Sequence, residues 1–170
     1  MGLAQWADRA SGIIGRVSGW LFFIIGIVLT YDVAARFLFH SPTAWAGDIS
    51  VILQIWVVYL GMAYVLRERG LIRITAFVRL LGPLGRKLVE GFSLVFITLF
   101  SVLMTWESIL VVMESVARGR RAPTMIETPM WIPEIAIPIG FSLLALQALL
   151  ELARLPSRPA PAFTEEDSAE

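Results

Sequence analysis

Four long apolar stretches constrain the fold of this chain more than any other feature of its sequence. They lie at about 13–35, 47–66, 90–113 and 131–152. The hydrocarbon core of a bilayer is about 30 Å thick, and an α-helix of roughly 20 apolar residues crosses it. Each stretch is close to that length. The sequence therefore predicts an all-α integral membrane protein with four spanning helices, in a single membrane domain over residues 1–154.

The composition indicates that the folded chain is surrounded mainly by lipid rather than by water. Hydrophobic residues make up 57% of the chain and charged residues 16%, whereas soluble domains carry about 25% charged residues. Lys plus Arg and Asp plus Glu are equal at 14 each, so no bulk charge indicates binding to nucleic acid. The chain contains no cysteine, which excludes disulfides, thiolate chemistry and cysteine-ligated metals.

The basic residues predict the orientation in the membrane. The first apolar stretch is longer than the about 7–15 residues of a signal-peptide core, so we expect a retained anchor. If the N-terminus is cytoplasmic, four of the 14 Lys and Arg residues lie on the outer side, namely Arg36, Arg118, Arg120 and Arg121. Because Lys and Arg are enriched in cytoplasmic segments, this bias predicts that both termini are cytoplasmic.

The segment at about 71–86, LIRITAFVRLLGPLGR, has a different hydrophobic period from the spans. Its apolar residues share one helical face, which predicts an amphipathic interfacial helix between the second and third spans. Arg73, Arg79 and Arg86 would then contact lipid phosphates, and a plain basic loop is the alternative. The proline-rich and then acidic tail at 155–170 is expected to be disordered.

Four glycines, Gly12, Gly15, Gly19 and Gly26, fall on one face of the first span. Glycines on one face let another helix backbone approach closely, which is how packing energy is gained in lipid. We therefore expect Gly15 and Gly19 to belong to a helix-packing surface. The alternative is that the glycines only reflect the high glycine content of membrane helices.

The turn between the first two spans, RFLFHSPTAWAGD, concentrates polar residues between apolar runs. Asp32 and Arg36 are four residues apart and face each other on one helix side. Trp45 suits the membrane interface, and Asp48 lies where the positive end of the second helix dipole favours a carboxylate. His40 is interpreted as a solvated loop residue rather than a ligand, so the turn is predicted to be structural.

Glu107 is the one charge within the apolar run Gly91–Met113 of the third span. A charge at the bilayer centre costs about 3 kcal/mol on insertion scales, so Glu107 should be paired, protonated or in contact with a protein neighbour. Arg36, at the outer end of the first span, is a plausible partner within the chain. Contact with another subunit and proton coupling remain the alternatives.

The outer loop and the fourth span carry the remaining distinctive residues. The arginines of the loop ESVARGRRAPTMIETPM could recruit an anionic solute, dock an acidic partner surface or contact lipid phosphate. Pro133 can occupy the first turn of the fourth helix, where its missing N–H is tolerated. Pro138 lies deeper and removes one backbone hydrogen bond, so a kink is expected there.

The chemistry open to these residues is limited. A single histidine in a loop cannot supply the His pair of a membrane cytochrome, and without cysteines the chain cannot generate disulfides. No nucleophile–base pair or phosphate-binding loop is present, so no enzymatic activity and no cofactor are expected. A self-sufficient proton-coupled exporter that uses Glu107 remains the main alternative to a scaffold, and a membrane anchor for a soluble enzyme is a weaker one.

The order of these features resembles a known family. RFLFHSPTAWAGD, WVVYLGMA and the basic segment after them are similar to the small membrane subunit (DctQ type) of TRAP transporters, the tripartite ATP-independent periplasmic systems. TPMWIPEIAIPIGF resembles that family's fourth helix. The likeness covers about residues 13–154. Carried over position by position, it implies framework roles for Arg36, Trp45, Asp48 and Gly61.

The resemblance implies a division of labour between subunits. A large permease subunit would carry the solute and sodium sites, and a periplasmic solute-binding protein would capture the solute. The small subunit would be a non-catalytic scaffold that binds lipid and the large subunit in the bacterial inner membrane. It would bind no substrate itself, in a sodium-driven uptake system for an organic acid or a related small solute.

Overall fold

The structure, a computed structural model, describes residues 3–41, 43–67, 83–124 and 126–155. Within these ranges the chain forms helices and no β-strand, apart from a single bridge between Arg121 and Pro129. The predicted all-α fold is confirmed. The helices are α1 (Leu3–Leu38), α2 (Ala46–Arg67), α3 (Pro83–Ala117), α4 (Trp131–Glu134) and α5 (Ala136–Arg154).

Among the described residues, four helical segments are long and apolar enough to cross a membrane, as the sequence predicts: Gly12–Leu38, Ala46–Arg67, Lys87–Ala117 and Trp131–Arg154. The predicted interfacial helix lies mostly outside the described residues, as do Arg73 and Arg79. Its last residues, 83–86, form the first turn of α3, so Arg86 belongs to that helix. The predicted disordered tail also lies outside the described residues, from 156 onward.

The long helices form a row in the order α1, α2, α5, α3. Extensive contacts join α1 to α2, α2 to α5, and α5 to α3. Each of the two inner helices, α2 and α5, therefore has a long helix on both sides, whereas α1 and α3 pack extensively against one each. The burial follows this order, since the spans of α1 and α3 are the least buried and the span that contains α5 is the most buried.

A glycine sets the separation between α1 and α2, which run antiparallel. A methyl group at Gly15 would collide with the ring of Tyr64, and one at Gly61 would lie 4.0 Å from the Ser18 hydroxyl. Small residues allow the close approach by which helices gain packing energy in lipid. The sequence places Gly19 on the same face as Gly15, but a methyl group at Gly19 would meet no described atom within 4 Å, and the same holds for Gly26.

The contact between α2 and α5 also depends on a glycine. A methyl group at Gly140, the only glycine of α5, would lie 2.5 Å from the Tyr59 carbonyl oxygen and 2.7 Å from its Cβ. Nearby, the Trp56 indole Nε1 donates a hydrogen bond of 3.2 Å to the Ile132 carbonyl oxygen. These two contacts fix the start of the fourth span against the middle of α2.

A stripe of buried residues at intervals of seven packs α3 against α5: Leu94, Ser101, Ser108 and Ser115. Three of the four are serines, which are small enough for close helix contact. The Ser108 hydroxyl donates to the Met104 carbonyl oxygen at 2.6 Å. The hydroxyls of Ser101 and Ser115 are buried and have no hydrogen-bond partner among the described residues.

The fourth span is interrupted at Ile135, between α4 and α5. Pro138 has no N–H to donate to the carbonyl group of Glu134, and its ring crowds that carbonyl. The kink that the sequence predicts near Pro138 stays a prediction, because Ile135, between α4 and α5, keeps right-handed helical dihedral angles of φ −67° and ψ −20°.

Candidate functional site

The turn between α1 and α2 is organised around Asp32. Its Oδ2 accepts a hydrogen bond of 3.0 Å from Arg36 Nη2, so the predicted pairing of these two side chains is confirmed. Its Oδ1 accepts hydrogen bonds from the Thr43 backbone N–H, at 3.2 Å, and from the Thr43 hydroxyl. The Asp32 carboxylate is buried and joins the end of α1 to the chain that leads into α2.

The other residues predicted in this turn lie around that cluster. His40 is exposed and has a φ of 51°, a left-handed backbone conformation at the end of α1. Trp45 is 43% exposed immediately before α2. Asp48 lies in the first turn of α2, two residues after its start, where the helix dipole favours a carboxylate. Its Oδ2 is buried without a hydrogen-bond partner in the part of the chain that is described.

In the loop between α3 and α4, the positive charges of the arginines are balanced by nearby carboxylates of the same chain. It closes as a short hairpin in which the Ala122 N–H donates to the Thr128 carbonyl oxygen at 2.8 Å. Each outer arginine lies near a carboxylate of the same chain, in the pairs Arg118–Glu114 at 2.8 Å, Arg120–Glu134 at 3.8 Å and Arg121–Glu127 at 3.9 Å. This arrangement disfavours the anion-recruiting role, because the arginines do not form a patch of unbalanced positive charge.

Glu107 lies on the exposed surface of α3. It makes no hydrogen bond or ion pair with any residue that the structure describes. The structure does not bring Glu107 and Arg36 together, because α1 and α3 lie at opposite ends of the helix row. Arg36 is instead paired with Asp32. The predicted contact between Glu107 and Arg36 is therefore wrong, and within the described chain Glu107 has no partner.

An apolar groove of about 500 Å³ opens between α1 and α2, and Ile97 of α3 and Leu144 of α5 complete its lining. Gly15, Gly19, Gly61 and Tyr64 line it, so it follows the glycine face that the sequence predicts. No charged residue is among its lining residues, and its polar groups are limited to hydroxyls. A groove of this composition suits lipid chains or helix side chains and lacks the cationic groups that would hold an organic acid.

Across the described ranges, no three His, Asp or Glu side chains come close enough to hold a metal ion. The ionisable side chains that do meet form pairs near the helix ends. One example is Glu151 Oε1, buried in α5 and 3.4 Å from Arg154 Nη1. Such a pair balances charge at the end of a span.

Sequence reasoning missed three features that the structure shows to be central to packing. Thr43 is the second hydrogen-bond partner of Asp32. A threonine in a turn has many possible partners, so nothing in the sequence indicates this one. Gly140 could have been found as the single glycine of the fourth span. The three serines of α3 could have been found from their spacing of seven residues.

Comparison with known proteins gives two matches. Residues 25–157 match the family described as tripartite ATP-independent periplasmic transporters, DctQ component. The chain is also similar to the isethionate TRAP transporter permease protein DctMQ of Oleidesulfovibrio alaskensis. The two are 25% identical over 159 residues, which cover 89% of this chain and 24% of that protein. The chain thus spans about a quarter of the length of this curated relative.

Proposed function

Because this chain belongs to the DctQ component family of the tripartite ATP-independent periplasmic transporters, we propose that it is the non-catalytic scaffold subunit of such a system. In this proposal it stabilises a large permease subunit in the membrane. The permease carries the solute and sodium sites, and a periplasmic solute-binding protein delivers the solute. The family match over residues 25–157 is the observation that carries the proposal.

The shape of the helix row supports a scaffold role. Its end helices, α1 and α3, each pack extensively against one long helix, which leaves wide apolar surfaces in the membrane plane. Phe23 on α1 is 63% exposed and Phe92 on α3 is 73% exposed. Such surfaces can contact lipid on one side and a neighbouring subunit on the other. The groove between α1 and α2 has no charged lining residue that would hold an anionic solute.

The name of the curated relative specifies isethionate, and that statement concerns the relative. For this chain we propose uptake of an organic acid or a related small solute by the complete system, driven by sodium. The small subunit itself would contact neither the solute nor sodium, so its sequence would not set the selectivity. Replacing Arg36 should accordingly lower the yield of the assembled complex and leave the solute preference unchanged.

We place the protein in the bacterial inner membrane with both termini in the cytoplasm. The even number of spans found among the described residues and the excess of Lys and Arg outside the 39–45 and 118–130 connections support this orientation. In this orientation the turn that contains Thr43 and the loop that contains Arg120 face the periplasm. A reporter that is active only in the periplasm should give signal when inserted after His40 and no signal when fused at the C-terminus.

Co-purification from membranes tests the scaffold role. An affinity-tagged copy of this chain should recover a much larger, many-spanning membrane protein in a fixed ratio. Recovery of a single soluble enzyme would favour the membrane-anchor alternative instead. Recovery of this chain alone from membranes that contain the candidate permease would contradict the proposal.

One observation favours a second candidate function, a self-sufficient proton-coupled exporter. Glu107 is a carboxylate within a span that has no partner among the described residues, as a proton carrier requires. However, Glu107 is exposed on α3 and is not among the residues that line the apolar groove. An exporter predicts proton-driven transport by the purified chain that is abolished in Glu107→Gln.

A further inference from the structure

The nearest exposed neighbours of Glu107 on its side of α3 are apolar, and the next carboxylate on that side is Glu114, seven residues nearer the outer loop. Phe96, Leu103 and Leu110 lie on the same side of the helix, at offsets of eleven, four and three residues from Glu107, and are 61%, 54% and 47% exposed. We call this set, Phe96, Leu103, Glu107 and Leu110, the Glu107 face. It points away from the stripe of Ser101 and Ser108 that packs against α5, so it is open to the membrane or to another protein.

No cation of the described chain can reach this carboxylate. Arg36 is bound to Asp32 at the opposite end of the row. Arg118 is the first arginine after α3, and it lies eleven residues beyond Glu107, which is about 16 Å along a helix. Arg118 is also already paired with Glu114 at 2.8 Å.

Comparison with Glu114 indicates that Glu107 lacks a cationic partner in the described chain because it lies deeper in the span. Both lie toward the same end of α3, but Glu114 is seven residues nearer that end, which is about 10 Å of helix. Glu114 therefore reaches the polar loop and its arginine. Glu107 lies deeper, between apolar neighbours, where a charge is costly unless it is paired.

We propose that the Glu107 face binds a membrane helix of the large permease subunit, and that this helix presents an Arg or Lys side chain to Glu107. This inference rests on the proposed scaffold function and identifies the surface and the charge of the partner. A second copy of this chain fits less well, because two identical faces related by symmetry would bring two Glu107 carboxylates together. A cationic side chain supplies the missing charge and hydrogen bonds at once.

Site-specific cross-linking in the co-purified complex tests which face of α3 is covered. The chain has no cysteine, so single cysteines can be introduced and labelled with a photoactivatable cross-linker. Leu103→Cys and Leu110→Cys place the label on the Glu107 face. Val102→Cys and Ile109→Cys are the matched controls, because these residues are also exposed on α3, at 52% and 43%, but lie on the other side of the helix.

The expected result is a cross-link to the large subunit from positions 103 and 110, and little or none from 102 and 109. Cross-linking from 102 and 109 alone would overturn the proposal, as would products that contain only lipid or a second copy of this chain. In each of those cases the large subunit would still co-purify, so the scaffold role would stand. Failure of the large subunit to co-purify with the unmodified chain would instead contradict the scaffold role itself.

Charge substitutions then test the nature of the contact. Glu107→Lys should reduce the recovered large subunit by about tenfold or more, because it places two cations together, and Glu107→Gln should reduce it less. Glu114→Gln is the control, since that carboxylate already has a partner on its own chain. The amount of each variant in the membrane is measured first, so that loss of insertion is separated from loss of binding. Recovery at the unmodified level in both Glu107 variants would overturn the proposal.

Discussion

The backbone of Gly140 lies against the backbone of Tyr59, so that a methyl group at Gly140 would approach the Tyr59 carbonyl oxygen to 2.5 Å. This contact joins α5 to α2, the two inner helices of the row. The atom in the way belongs to a helix backbone, which cannot move aside without shifting the whole helix. The separation of the inner helices is therefore set by the absence of a side chain at one position.

Substitution of Gly140 should destabilise the protein more than substitution of other glycines in the spans. We expect Gly140→Ala to lower the free energy of unfolding by about 1–3 kcal/mol, the usual cost of overpacking. Gly26→Ala is the control, because a methyl group there meets no described atom within 4 Å. Thermal unfolding of the purified variants in detergent measures the difference. Equal midpoints for the two variants would contradict the close contact.

The contact between Gly15 and Tyr64 predicts a compensating pair of substitutions. Gly15→Ala should lower the unfolding midpoint, since the added methyl group collides with the Tyr64 ring. Tyr64→Ala should remove the collision, so the double variant should lose less stability than the sum of the two single variants. Gly19→Ala, on the same face but without a contact, should be tolerated in the isolated chain. Additive losses in the double variant would argue against direct contact between these two residues.

The buried serines of α3 predict an effect that depends on size rather than polarity. The Ser101 hydroxyl has no hydrogen-bond partner among the described residues, so Ser101→Ala should change stability by no more than about 0.5 kcal/mol, because no hydrogen bond is lost. Ser101→Leu should be strongly destabilising, since the residue is fully buried where α3 meets α5. Denaturant or thermal unfolding in detergent distinguishes these outcomes. A large loss in Ser101→Ala would reveal a hydrogen bond made by this hydroxyl.

The hydrogen bonds of Thr43 predict local rather than global instability. Thr43→Val keeps the shape of the side chain and its backbone N–H but removes the hydroxyl that donates to Asp32. We expect faster amide hydrogen exchange in the 39–45 turn and little change in the spans. Thr124→Val is the matched control, because the Thr124 hydroxyl has no partner in the described structure. Unchanged exchange in the turn would show that the hydroxyl contributes little.

The sequence is sufficient to predict the four spans that the described residues form and the pairing of Asp32 with Arg36. Both follow from local rules, since apolar length determines the spans and a spacing of four determines the pair. The spatial order of the helices could not be predicted in this way. It depends on which faces meet, and Gly15, Gly19 and Gly26 look alike in sequence although only the first contacts Tyr64.

The prediction that Arg36 contacts Glu107 is wrong for the same reason, because the sequence does not show the spatial order of the helices. The sequence makes Arg36 a plausible partner for Glu107, because Arg36 lies at the outer end of the first span. The helix row places them on α1 and α3, with two helices between, and Asp32 already binds Arg36. Depth in the membrane can be read from position in a span, whereas lateral neighbours require the tertiary structure.

Transport by reconstituted liposomes tests the central claim, that this chain supports a transporter without carrying solute. Liposomes that contain the chain alone should show no uptake above protein-free liposomes under a sodium or a proton gradient. Liposomes that contain the co-purified complex should take up solute when the solute-binding protein and a sodium gradient are supplied. Gradient-driven transport by the chain alone, lost in Glu107→Gln, would contradict the account.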